Sequence, residues 1–232
     1  MSKIEEGSFI KVDYVSKMQE DDSIFDTTFE EVAKKSKIYD AEKVYEPLLL
    51  VVGSNWFPPK VEEALIGKRN GDIVNVSINS SDAFGSRDPS NIKLVPRREF
   101  QKMQINPQKG DWVTVGNQEG KVLSVTSGRV RIDFNHRLAG ADLTYEITIK
   151  EVIDDVEGRI QAIIGRRLPG ADLADATLEI NGDVVRVELP RRVLYFEYIQ
   201  FAKKSISQEI KEMIQGFKEV VFIERFRITD EE

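Results

Sequence analysis

The sequence contains no cysteine and a single histidine. The first absence removes disulfides, thiolate nucleophiles and zinc–cysteine sites, and the second argues against a histidine-based transition-metal site, so neither a cofactor nor a metal is expected. No apolar run approaches the roughly 20 residues that span a bilayer. The opening MSKIEEGSF lacks a hydrophobic signal segment, so a cytoplasmic protein with no membrane partner is expected. There is no basic stripe either: 33 Lys and Arg are outnumbered by 40 Asp and Glu, with the signs interspersed and a net charge of −7. A nucleic-acid backbone would find no track to follow, and no nucleic-acid partner is expected. What remains is a globular composition, 41% hydrophobic and 31% charged over 232 residues, enough for one large domain or two to three small ones.

The lone histidine, His136, lies in NHRLAGADL, and RLAGADL at Arg137 to Leu143 nearly recurs as RLPGADL at Arg167 to Leu173. Beyond Leu143 and Leu173 the two stretches diverge, so the pattern reads as one turn used twice. A hydrolase built on His136 has little support, because Asp142 stands six residues away in a turn and no matched serine motif exists.

Along the chain, SFIKVDYVSKM alternates Ile10, Val12 and Tyr14 against Lys11, Asp13 and Ser16, the period of a half-buried strand with Tyr14 inward. IFDTTFEEVAKKSKIYD reads as a strand end, a Thr28 cap with Glu31 three residues on, and a short helix stopping near Ser36. PLLLVVG is a short buried strand. Pro59 and Gly67 bracket a helix of one to two turns, and Ile73 to Ile78 alternates again. From Gly85 the pattern changes, since Pro89, Pro96 and Pro107 among many charges permit no long regular element. Beyond them Trp112 to Val115, Lys121 to Val125 and Arg129 to Phe134 form a small β-meander, and Tyr145, Ile147 and Ile149 alternate along a further strand.

From about Asp154 the plan is different. GRIQAIIGRR, ATLEI and DVVRVELP read as two or three strands, with a hairpin turn at Asn181-Gly182-Asp183. One apolar stripe, Tyr195, Ile199, Ala202, Ile206, Ile210, Met213 and Phe217, then marks a long helix, and VVFIERFRI closes the chain as a strand.

Several motifs, in this order, resemble the FKBP-type peptidyl-prolyl cis-trans isomerases: VDYV, IFDTT, PLLLVVGSNWFPPKVEEALIG, Gly71-Asp72, DAFG and DFNHRLAGADLTYEITI. More narrowly they are similar to the long archaeal and SlyD-like branch, in which an insert-in-flap domain interrupts the isomerase domain after an A-[YF]-G motif and returns through NHPLAG. The resemblance implies an α+β fold: an FKBP-like antiparallel sheet wrapped on a short helix, a small β-rich insert, and a C-terminal α+β domain. The domains would be 1–85 with 136–153, 86–135, and 154–232. Arg137 replaces the usual proline of the return motif, so a looser hinge is expected there.

The activity so implied needs no nucleophile and no metal. A peptide bond resists rotation by about 18–20 kcal/mol, and a pocket that fits the twisted amide better than either planar form lowers that barrier. Position by position, the resemblance implies Tyr14 and Phe25 as aromatic walls and Asp26 as the orienting carboxylate. Leu48 takes a wall position often aromatic elsewhere, Phe57 precedes the flap helix, and Val61 forms the floor. Phe84 stands for the tyrosine of A-Y-G, and Tyr145 is the aromatic of the last strand. Pro58 lacks the N–H that many members offer a bound peptide, and Phe84 lacks a hydroxyl. Each lost bond costs about 0.5–1.5 kcal/mol, so weak turnover of short peptides is expected. The insert is implied to hold unfolded or partly folded chains containing Xaa-Pro, with Phe100, Met103, Ile105 and Trp112 as candidate contacts; for Trp112, a place in the insert's own core has slightly the better claim. The C-terminal part is implied to form a homodimer, against the plainer reading of a monomeric satellite domain. The rival to an enzyme is a holdase chaperone whose isomerase pocket has decayed.

Overall fold

In the computed structural model, residues 2–226 are described. The α+β architecture expected from the sequence is present, with three sheets and five α-helices among the described residues. The chain divides into two compact units. One comprises Met1–Ser16, Ile24–Val76 and Tyr145–Glu232, the other Lys17–Ser23 and Ser77–Thr144.

The main sheet contains β1 (Phe9–Met18), β2 (Ile24–Thr27), β3 (Leu48–Val51), β4 (Ile73–Ile78) and β9 (Leu143–Ile153) in the order β2-β1-β9-β4, with β3 also paired to β1. Two short helices belong to this part of the chain, α1 (Glu30–Lys35) and α2 (Pro59–Leu65). The alternation expected in β1 is only half the picture. Ile10, Val12 and Tyr14 are buried, but so are Phe9, Asp13 and Ser16. Phe9, Leu49 and Val51 join the core of the C-terminal elements, so the sheet is covered on its second face as well. Asp13 tolerates burial because Thr28 Oγ1 donates to its carboxylate at 2.9 Å. That same bond explains a correction: Thr28 does not cap α1, whose first residue follows Phe29 with no side-chain cap.

In the second unit, β5 (Ile92–Pro96), β6 (Trp112–Val115), β7 (Gln118–Val125) and β8 (Arg129–Asp133) make a four-stranded antiparallel sheet in the order β5-β8-β7-β6. The sequence pattern predicts only three of these strands. β5 is the fourth, and it sits at the sheet edge with Pro96 as its last residue, where a missing N–H is tolerated. Helix α3 (Arg97–Lys102) carries Phe100 into the core of this sheet beside Val113, Val122, Val130 and Ile132.

The C-terminal elements are α4 (Val156–Arg167), β10 (Thr177–Asn181), β11 (Val184–Glu188), α5 (Ile199–Met213) and β12 (Glu219–Ile223). GRIQAIIGRR is helix α4, not a strand. Its β-branched isoleucines favour a strand and its two glycines disfavour a helix, but Ile160, Ile163 and Ile164 keep helical spacing and all are buried, and the Asp155 carboxylate caps the first turn by accepting from Gly158 N at 2.7 Å. The hairpin at Gly182-Asp183 is present, with Asn181 opposite Val184. β12 runs parallel to β11, reached through α5. The α5 stripe is shorter than expected: Ile199, Ala202, Ile206 and Ile210 are buried, whereas Tyr195 precedes the helix and is 66% exposed. Of the expected terminal strand, Arg227 and Ile228 lie outside the described residues.

The repeated heptapeptide is indeed one turn formed twice. Ala141 N donates to Leu138 O and Ala171 N to Leu168 O, both at 3.1 Å. Gly140 and Gly170 both adopt positive φ, +75° and +68°.

Candidate active site

Four aromatic rings meet edge to face. Phe57 lies 5.1 Å from Tyr14 and 5.8 Å from Tyr145, and Phe25 lies 6.1 Å from Tyr145, with interplanar angles between 81° and 86°. This is the arrangement that aromatic quadrupoles favour, and it walls a box from β1, β2, β9 and the loop before α2. Val61, fully buried, lies on α2 just beyond Phe57.

The polar tip of the box is a tyrosine–carboxylate pair. Tyr14 Oη donates to Asp26 Oδ2 at 2.7 Å. The other carboxylate oxygen accepts from Thr27 N at 2.9 Å and from Lys43 Nζ. The DTT segment is stapled to β1 on both sides: Thr27 Oγ1 donates to Tyr14 O at 2.8 Å, and Tyr14 N donates to Thr28 Oγ1 at 3.0 Å. Burial, helped by the Asp26 bond and charge, pushes the Tyr14 hydroxyl well above the ordinary phenol range. Burial and then the Asp26 charge push Tyr145 up to about 12. Both phenols stay protonated at neutral pH, so Tyr14 remains a donor.

The loop from Gly53 to Phe57 is organised by Glu62 of α2, a residue that sequence reasoning missed. Its buried carboxylate accepts from Phe57 N at 2.8 Å through one oxygen, and from Gly53 N at 2.7 Å and Asn55 N at 3.3 Å through the other. Gly53 and Asn55 both adopt positive φ, +91° and +58°, and the loop turns alternate N–H groups, of residues 53, 55 and 57, inward toward one anion. An acidic residue in the first turn of a helix that follows a Gly-Ser-Asn loop was the available signal. Lys43 was missed too, and the irregular segment that carries it gave no periodic clue.

Tyr14, Phe25, Asp26, Phe57 and Tyr145 are thus brought together. Leu48 makes none of these ring contacts, but with Tyr14, Lys43 and Val44 it lines a cavity of about 630 Å3 whose other wall is α4, including Gln161, Ala162 and Arg166. Phe84 belongs to the second unit, where it stacks on His136 with ring centres 4.5 Å apart. His136 Nδ1 accepts from Leu138 N at 3.3 Å, and Gly140 N donates to Gly85 O at 2.7 Å, so the histidine helps tie the turn at the return from the insert. Of the residues expected to meet clients, Met103, Ile105 and Trp112 are each about 40% exposed, whereas Phe100 is fully buried in the insert core and offers no surface. Trp112 is therefore not in the insert's own core, the place that the sequence slightly favours for it. It borders a groove with Phe134, His136 and Arg137.

A sheet wrapped on a short helix, enclosing an aromatic box with a phenol–carboxylate tip, defines an FKBP-like protein. Residues 93–138 match the family model described as FKBP26, IF domain, and residues 156–227 match FKBP26_C-terminal. The chain is 36% identical over 149 residues to the short-type peptidyl-prolyl cis-trans isomerase of Methanocaldococcus jannaschii, covering 64% of this chain and 94% of that protein. It is 36% identical over 111 residues to a probable FKBP-type 16 kDa peptidyl-prolyl cis-trans isomerase of Pseudomonas fluorescens, covering 46% of this chain and 73% of that protein. To the FKBP-type isomerase SlyD of Aeromonas hydrophila it is 28% identical over 120 residues, covering 50% and 56%. The chain belongs to the FKBP-type peptidyl-prolyl cis-trans isomerases, in the archaeal and SlyD-like branch.

Proposed function

We propose that the protein catalyses cis–trans isomerisation of Xaa-Pro bonds in unfolded or partly folded polypeptides and holds those chains through its insert. The observation that carries the reading is the four-ring box closed at its tip by the Tyr14–Asp26 bond. Isomerisation makes and breaks no covalent bond; it needs only a site where the twisted amide is better accommodated than the planar one. The rings receive the proline ring and exclude water, which deprives the planar amide of the solvation that stabilises its charge separation. Tyr14, held by Asp26, supplies a fixed donor at the polar end.

The division into an isomerase part, 1–85 with 136–153, an insert, 86–135, and a C-terminal part, 154–232, belongs to this proposal. So do the assignment of Leu48, Val61 and Phe84 to the substrate site, homodimerisation through the C-terminal part, and a cytoplasmic location. No helix among the described residues is long and apolar enough to cross a membrane. Met103, Ile105 and Trp112 are insert side chains with surface to offer a client, as is Leu94.

Refolding of a protein limited by an Xaa-Pro bond tests the function. Acceleration at substoichiometric amounts is expected. Suppressed aggregation without acceleration would replace the enzyme with a holdase. Removing Ser86 to Asn135 and joining the ends is expected to spare tetrapeptide turnover and reduce catalysis of refolding. Light scattering at micromolar concentration reads the dimer, and a mass of 26.4 kDa would exclude it.

A further inference from the structure

Trp56 and Phe57 are neighbours in the chain with opposite duties. Phe57 is a wall of the aromatic box. Trp56, two residues after buried Ser54 Oγ and flanked by the positive-φ residue Asn55, packs instead against the C-terminal core. There the guanidinium of Arg166, at the end of α4, lies over the indole with its carbon 3.7 Å from the ring centre. Glu209 of α5 holds that guanidinium at 2.6 Å and also pairs with Arg167. Glu209 is 5% exposed and the Arg166 side chain 25%, so the clamp is partly shielded from the water and salt that weaken surface ion pairs. The turn has two anchors: Glu62 grips its backbone from α2, and Arg166 grips its outward side chain from α4.

We infer that Arg166, fixed by Glu209 and stacked on Trp56, is a positioning residue for the isomerase site: through the Gly53–Phe57 turn, the C-terminal helices set where the Phe57 wall stands. The inference rests on the isomerase reading. Trp56 and Phe57 share a peptide plane, and that plane's N–H is bonded to Glu62. A shift of Trp56 that reaches its backbone must therefore carry Phe57 with it or break that bond. An Arg stack tolerates no tilt without losing overlap, whereas an apolar contact would. C-terminal helices that only dimerised or buried surface would need no planar cation on this indole.

The test uses the full chain with Arg166→Met, Arg166→Lys and Trp56→Leu, and with Val193→Ala as a control that weakens the same core away from the turn. On a short Xaa-Pro peptide, Arg166→Met and Trp56→Leu are expected to lower kcat/KM about three- to tenfold, between the spans of an exposed and a fully desolvated cation–π contact, and Arg166→Lys, which keeps the charge but loses the planar stack, to recover only part of it. Val193→Ala should lower the thermal midpoint as much without changing kcat/KM. In amide NMR of the free protein, Arg166→Met should shift the Gly53 to Phe57 signals and the Trp56 indole, one of only two indole signals in the chain. Unchanged kcat/KM in Arg166→Met and Trp56→Leu overturns the inference, as does an equal loss in Val193→Ala. If the wild type itself fails to accelerate isomerisation, the isomerase reading falls. The clamp is then judged by the NMR shifts alone, and their absence overturns it.

Discussion

Replacing Glu62 with glutamine keeps shape and volume but turns one acceptor oxygen into a donor. In the native loop one carboxylate oxygen takes Phe57 N, and the other takes Gly53 N and Asn55 N. Glutamine can satisfy only one of these ends, so one or two backbone N–H groups are left facing an NH2 group. A buried donor without a partner costs about 1–3 kcal/mol, and the surviving bonds lose their charge assistance. A loss of about 2–4 kcal/mol is expected for Glu62→Gln, read as a lower urea midpoint at unchanged slope. The amide glutamine would first free is the one that fixes Phe57, so turnover should fall as well. If substrate must re-order the turn at a cost of about 1.4 kcal/mol, kcat/KM on a tetrapeptide drops about tenfold. Glu62→Ala should be no milder in stability, because it removes the anion altogether. A Glu62→Gln protein that loses less than about 0.5 kcal/mol and keeps wild-type turnover would refute the reasoning, since that is the scatter of an ordinary surface substitution.

Alkaline pH should expose the two boxed phenols: Tyr145 is raised from 10.0 to about 12 and Tyr14 further. The unfolded chain then releases these protons first, so stability is complete below pH 10 and falls as pH rises from there through 12. Tyrosinate absorbance should show two of the six tyrosines titrating only with unfolding, and Tyr14→Phe should remove one. Pro58→Ile combined with Phe84→Tyr should restore two donors, worth about 0.5–1.5 kcal/mol each on a bound peptide, and raise tetrapeptide turnover severalfold. A double variant no faster than wild type would mean that neither position meets the peptide.

The parts of the fold that are legible in the sequence are those where one physical cause dominates. Alternation announces β1 and β4, and Pro59 and Gly67 bracket α2 because proline and glycine act on the backbone directly. Failures arise where a distant partner decides. Thr28 has the pattern of a cap, but Asp13, fifteen residues earlier, claims its hydroxyl. Gly158 to Arg167 has the local preferences of a strand because its helix is fixed by burial of Ile160 and Ile163 rather than by propensity. In the site, the ring box is legible only through the family resemblance that the order of the motifs carries. Glu62 and Lys43 are not legible, since their work is defined by backbone groups and a carboxylate that only the folded loop assembles. Phe100 reads as surface because an aromatic in a proline-rich, charged segment carries no period to mark it as core.

The order of strands also sets an order in time. A chain leaving the ribosome at about 5–20 residues per second completes β5 through β8 by Asp133, and these four strands pair only with one another. The main sheet cannot close then, because β1 and β4 await β9, which begins at Leu143. The insert can therefore be finished while the pocket it interrupts is still open chain, so a nascent molecule acquires its small sheet before its aromatic box.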